Sequence, residues 1–228
     1  MRSYTLHPGP DPSFRIRYEE ELNAEQLAVV TAEAGPHLVI AGAGSGKTRA
    51  VTYRVARLIE RGVDPSRILL VTFTNKAARE MLQRVGALLT VDLRRMWGGT
   101  FHHVGNLILR RHAKAFGYAS NFSILDREDA KTLLEECATG LRTADRERRF
   151  PKGDVLLEIL SLALNTVVEP AALIERAYPQ FMTDTEDILR VFRAYAERKL
   201  KNNAMDFDDL LVLWRRLLAE HPDVCRQW

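Results

Sequence analysis

The sequence predicts an α/β fold: a parallel sheet with helices on both faces, joined by an all-α inserted subdomain. Three observations carry that prediction. Apolar runs of strand length at 37–41, 68–73 and 96–101 each precede a segment with helical spacing, and strands alternating with helices build parallel sheets. A glycine-rich stretch, Ala41 to Gly46, links the first run to its helix. From about His103 the pattern changes to helices alone, with apolar spacing such as Leu133-Leu134-Cys137 and Ile188-Leu189-Val191-Phe192-Tyr195.

Taken in order, Met1 to Ser13 holds Pro8, Pro10 and Pro12 and reads as a flexible leader, extended here to residue 18. Asn23 is a helix cap, and its helix is expected to run to about Ala34. A strand at 37–41 follows, then a helix at about 47–61, a strand at 68–73, a helix at about 75–89 and a strand at about 96–101. The charged stretch Arg142 to Pro151 reads as a mobile loop. The expected division is leader 1–18, first part of the core 19–111, helical inserted subdomain 112–202, and a return toward the core over 203–228.

Composition bounds the function. With 228 residues and 46% hydrophobic content the chain can bury a core, as one large domain or two smaller ones. No apolar stretch reaches the roughly 18 residues that span a bilayer, and the first residues lack a signal peptide's apolar centre, so no membrane partner is expected. Cys137 and Cys225 are far apart and match no metal-site spacing, which fits a reducing cytoplasm. Charge is uneven: residues 47–114 carry 14 Lys/Arg against 4 Asp/Glu, while the flanking segments are acidic. A basic region beside an anion site suggests a second, polyanionic ligand such as nucleic acid; solvated arginines on amphipathic helices are the plain alternative.

The anion site is the stretch Ala41-Gly42-Ala43-Gly44-Ser45-Gly46-Lys47-Thr48. Glycines let backbone N–H groups turn inward around phosphates where a Cβ would crowd them, and the following helix adds the positive end of its dipole. Lys47 can then reach the β- and γ-phosphates as a point charge, and the Thr48 hydroxyl can hold Mg²⁺. A nucleoside triphosphate is the implied ligand. A glycine turn that binds nothing is argued against by the strand-to-helix setting, although Ala41 stands where the strict pattern has its first glycine.

Six ordered blocks then resemble UvrD/Rep/PcrA-like superfamily 1 DNA helicases, from about residue 20 to the end. They are Leu22-Asn23-Ala24-Glu25-Gln26, the P-loop with Arg49, Thr72-Phe73-Thr74-Asn75-Lys76-Ala77-Ala78, Gly99-Thr100-Phe101-His102, Phe122-Ser123-Ile124-Leu125-Asp126 and Asp206-Phe207-Asp208-Asp209-Leu210. The resemblance implies a RecA-like P-loop core, ATP and Mg²⁺ as cofactors, and 3′ to 5′ movement on single-stranded DNA with duplex unwinding. It also implies single-stranded DNA and single-/double-strand junctions as partners, alongside repair or replication proteins, in a bacterial-type cytosol or nucleoid.

Each block has a chemistry of its own. The resemblance makes Gln26 the reader of the adenine edge, for which a side-chain amide can donate to N7 and accept from the N6 amino group. Arg49 is expected to support the phosphate site. Thr72, Phe73, Thr74, Asn75 and Lys76 resemble a single-strand contact, offering a stacking face, hydroxyls and a cation at the carboxyl end of a strand. Core packing is the alternative for Phe73. Thr100, Phe101 and His102 resemble a second DNA block on the same rim. The pair His102-His103 lacks neighbouring carboxylates or cysteines at ligand spacing, so a metal role is rejected. The Asp206 to Asp209 cluster reads as capping and interdomain structure, with at most an indirect role toward DNA.

The acidic Asp-Glu-x-Gln-type block and the second motor core that the resemblance implies do not occur in these residues. The expectation is therefore the N-terminal part of a longer helicase, with weak nucleotide and DNA binding and negligible turnover alone. A RecB-like helicase-nuclease subunit, a small P-loop kinase or transferase, and a nucleotide- or DNA-binding module without turnover are the alternatives carried.

Overall fold

The structure, a computed structural model, describes residues 14–89, 91–141 and 150–227. The expected leader at 1–13 and residues 142–149 of the expected mobile loop lie outside the described residues. The fold is mostly helical with two small parallel sheets, and it divides into two units between Val104 and Gly105.

In the first unit, α1 (Tyr18–Glu21) leads into α2 (Ala24–Thr31). Asn23 starts α2 through a reciprocal cap: its Oδ1 accepts from the Gln26 amide at 2.8 Å, and Gln26 Oε1 accepts from the Asn23 amide at 3.5 Å. Helix α3 (Lys47–Glu60) follows the glycine loop. Then come β1 (Leu69–Thr72), α4 (Asn75–Leu88) capped by Thr74, and β2 (Trp97–Thr100). Strands β1 and β2 pair in parallel, with Leu69 opposite Trp97 and Thr72 opposite Thr100, so α4 is the crossover of a β-α-β unit. Val55 of α3 and Met81 and Val85 of α4 pack with Ile68 and Leu70 on one face of this pair. Leu69, pointing to the other face, stays 47% exposed.

The expected strand at 37–41 does not form. The segment carries no ladder, and its apolar side chains lie open, with Leu38 at 88% and Ile40 at 89% exposure. A parallel strand is stabilised by a neighbour on which to pair, and among the described residues β1 and β2 pair only with each other.

Helix α5 (Phe101–His112) follows β2 without a break. The second unit continues with β3 (Ser123–Ile124), α6 (Arg127–Leu141), α7 (Gly153–Thr166), α8 (Pro170–Ala177), α9 (Thr185–Lys201), β4 (Ala204–Met205), α10 (Phe207–Glu220) and α11 (Pro222–Gln227). Its core is Leu134, Leu156, Ile159, Ile174, Ile188, Val191 and Tyr195, all fully buried or nearly so. Strand β4 pairs in parallel with β3, Ala204 opposite Ser123, so the chain beyond residue 203 packs among the helices of this unit. Asn203, in the left-handed region at φ 49°, secures that return by accepting from the Ala119 amide at 2.8 Å. No single described helix is long and apolar enough to cross a membrane.

Candidate nucleotide and nucleic-acid site

The glycine loop turns through two left-handed residues, Gly44 at φ 77° and Gly46 at φ 84°. Only glycine adopts these angles without strain, so the turn that aims the backbone at a ligand requires these residues. Ser45 closes the loop on itself, its Oγ donating to the Gly42 carbonyl at 2.8 Å. Gly46 is also the cap residue of α3, placing Lys47 and Thr48 in the first turn of a helix whose unpaired N–H groups face the loop. Lys47 folds back over it, and its Nζ donates to the carbonyls of Ala41 at 2.8 Å and Gly42 at 2.7 Å. Thr48 is exposed beside it. Left-handed glycines, a helix N-terminus, an exposed ammonium and an exposed hydroxyl are groups that suit a magnesium–triphosphate.

Gln26 meets the loop directly. Its Nε2 donates to the Ser45 carbonyl at 3.1 Å, and a Cβ added at Gly46 would collide with that same amide nitrogen. Gln26 and the glycine-loop residues 41–48 are thus brought together. Arg49 is not turned to the loop: its guanidinium donates to the Glu21 carbonyl at 2.8 Å and to the Tyr53 hydroxyl at 3.3 Å, and it lies 4.9 Å from the centre of the Tyr53 ring.

Those contacts belong to a seam that residue-by-residue reading missed. The Tyr53 hydroxyl donates to the Glu21 carboxylate. Burial, then that bond, push the Tyr53 phenol above its usual range. Farther along α3, Arg54 donates to the carbonyls of Val29 at 2.8 Å, Ala32 at 3.0 Å and Glu33 at 3.2 Å, where α2 ends. Glu60 accepts from the Tyr18 hydroxyl and from the Arg15 amide at 2.8 Å. The signal in the sequence is the polar series Arg49, Tyr53, Arg54, Arg57 and Glu60 on a helix that otherwise packs apolar side chains.

The second group of expected residues gathers on the carboxyl rim of the β1–β2 pair. Thr72 and Thr100 are register partners at the two strand ends. Immediately beyond them Phe73 and Phe101 touch, with ring centroids 5.6 Å apart and planes tilted by 45°. Phe73 is 89% exposed, which removes core packing as its role. Thr74 Oγ1 accepts from the Ala77 amide at 3.1 Å and Thr100 Oγ1 accepts from the His103 amide at 3.2 Å, so α4 and α5 both present N-termini to this rim. Asn75 and Lys76 stand exposed in the first turn of α4, and His102 lies in the first turn of α5. Stacking faces, hydroxyls, a cation and two helix N-termini on one edge suit a single-stranded polyanion with bases.

The acidic cluster lies elsewhere and is already committed. Asp206 caps α10 in a reciprocal box with Asp209. Lys199, 4% exposed, reaches Asp206 at 2.6 Å and Asp209 at 2.5 Å, and the Tyr195 hydroxyl donates to Asp206 at 2.8 Å. Burial and the adjacent Asp206 raise the Asp209 carboxyl above the usual range, with Lys199 pulling it back.

Comparison with known proteins finds relatives of the sequence. The UvrD/REP helicase N-terminal domain matches residues 22–228. An "ATP-dependent DNA helicase PcrA" of Leuconostoc citreum is 39% identical over 209 residues, 91% of this chain and 27% of that protein. An "ATP-dependent DNA helicase UvrD1" of Mycobacterium tuberculosis is 37% identical over 227 residues, 97% of this chain and 28% of its own length. The PcrA of Bacillus subtilis is 39% identical over 207 residues, covering 89% and 27%. The chain therefore spans little more than a quarter of the length of these relatives.

Proposed function

Because the chain belongs to the UvrD/REP helicase N-terminal domain family, we propose that it supplies the P-loop half of an ATP-driven DNA motor together with one wall of its single-strand track. In this reading unit one is the first part of a RecA-like core, and the helices beyond it form the inserted subdomain. Ala41 to Thr48 hold the triphosphate, with Lys47 leaving the Ala41 and Gly42 carbonyls for the β- and γ-phosphates. Thr48 is the protein's ligand to Mg²⁺, which neutralises phosphate charge when bound. Gln26 reads the adenine edge, and Arg49 acts through its hold on Glu21.

Thr72 to Lys76 and Thr100 to His102 follow single-stranded DNA, Phe73 and Phe101 stacking on bases and Lys76 meeting a phosphate. In the whole protein, hydrolysis drives 3′ to 5′ movement and opens duplexes at single-/double-strand junctions, in the cytosol or nucleoid, alongside repair or replication proteins. The observation that carries the reading is the loop itself: two left-handed glycines delivering Lys47 and Thr48 into the first turn of α3.

The test is ATP hydrolysis stimulated by single-stranded DNA. It compares the 228-residue chain with one extended through an Asp-Glu-x-Gln-type block and a second core, each with and without Lys47→Ala. Turnover is expected only from the extended chain, falling at least about a hundredfold on losing Lys47, the scale of a lost transition-state contact. Hydrolysis by the 228 residues alone would overturn this account of the site and turn attention to Asp206 to Asp209.

A further inference from the structure

Helix α2 carries Gln26 in its first turn and is tied to α3 at both ends. Just ahead of its start, Glu21, the last residue of α1, is held twice: its carbonyl by Arg49 at 2.8 Å, its carboxylate by the Tyr53 hydroxyl. At its finish, one guanidinium, Arg54, takes three carbonyls within 3.2 Å. Val29 is in the last turn of α2, Ala32 is its cap and Glu33 the residue beyond, so the guanidinium sits at the helix end, where carbonyls lack intrahelical partners, the dipole is negative and a cation is favoured. The apolar contact of Val30 with Tyr53 and Ala56 already holds the two helices together. What the polar ties add is direction, because hydrogen bonds to fixed carbonyls do not tolerate a helix sliding or rotating on an apolar seam.

Since α3 begins at Lys47, fixing α2 on α3 also fixes Gln26 relative to the loop, where it meets the Ser45 carbonyl. We propose that Arg54, Tyr53 and Glu21 are positioning residues that set the Gln26 amide beside the phosphate loop and thereby decide which base the site accepts. The inference rests on the reading of Gln26 as the adenine contact and deepens it: selectivity among nucleoside triphosphates belongs to the α2–α3 seam as well as to Gln26.

The experiment measures displacement of a fluorescent ATP analogue from the 228-residue chain by ATP, GTP and base-free tripolyphosphate. Wild type is compared with Arg54→Met, Arg54→Lys, Tyr53→Phe and Gln26→Ala. Arg54→Met and Tyr53→Phe are expected to lower the preference for ATP over GTP about tenfold, the scale of one bidentate amide–base contact, with tripolyphosphate affinity held within about twofold. Arg54→Lys, which keeps a cation at the same carbonyls, is expected to recover part of the preference. A parallel loss of tripolyphosphate affinity would overturn the proposal, since the loop itself would then be damaged. If Gln26→Ala removes the preference while Arg54→Met and Tyr53→Phe keep it, the adenine reading stands and the positioning role falls. If Gln26→Ala leaves the preference intact, both fall.

Discussion

Lys199 shows how much a single buried group can decide. Its ammonium answers two carboxylates, Asp206 and Asp209, and lies 4.4 Å from the centre of the Tyr195 ring. Removing one member of such a buried ionic set leaves the others uncompensated, which costs about 3–5 kcal/mol. Lys199→Met is therefore expected to lower the urea midpoint by that much stability without altering binding of tripolyphosphate at the glycine loop. An unchanged midpoint would mean that the carboxylates find other compensation.

Tyrosines of both units make a second prediction. Burial is the first cause raising Tyr18, Tyr53, Tyr118 and Tyr195, Tyr118 to about 12, and carboxylates near each raise them further. A phenol that holds its proton more tightly when folded contributes stability in full below its unfolded pKa near 10 and loses it as pH rises beyond. Unfolding followed by circular dichroism should set in above pH 10, together with the rise in tyrosinate absorbance, and the Tyr118 share should level off past about pH 12. Ionisation of these tyrosines at pH 10 with the fold intact would contradict their burial.

Among the elements, the end of α7 stores strain. Val167 closes that helix at φ 56° with its side chain 70% exposed, and a β-branched residue in the left-handed region is costly. Val167→Gly is expected to stabilise the protein by about 1 kcal/mol, read from the denaturant midpoint, because glycine removes the steric cost while giving up some entropy. Much at this scale was legible in the sequence. The start of α2 falls where Asn23 caps it, those of α3 and α4 fall at the expected positions near 47 and 75, and β1 and β2 lie within a residue or so of the apolar runs. Those signals are local: a cap or a short β-rich run states its own structure. The segment 37–41 departs from its expected strand because a strand is not local, and Leu38-Val39-Ile40 lacks a described neighbour to pair with. In the site, the glycine loop and the paired threonine–phenylalanine rim were legible from motifs, whereas the Arg54 and Glu21 ties were not: the polar series on α3 marks a seam but not its partners, several of which are main-chain carbonyls.

At the scale of the whole molecule, an open apolar surface, Leu38 to Ile40, lies beside the glycine loop. Leu38 and Ile40 expose nearly all of their side chains on an extended, unpaired backbone, an arrangement prone to pairing between copies. Leu38→Ser combined with Ile40→Ser is expected to shift sedimentation toward the monomer at high protein concentration; an unchanged profile would mean that the segment does not mediate association. The same segment enters the glycine loop, whose exit is anchored by α3 while its entry pairs with no strand among the described residues. Any strand that docks beside residues 37–41 would restrict the loop, and a triphosphate that restricts the loop would favour docking of that strand. The two events are then thermodynamically linked, and reciprocity requires each to strengthen the other by the same factor. On the proposed reading of the loop, sheet completion is in this sense an effector of triphosphate binding, and the triphosphate an effector of the sheet.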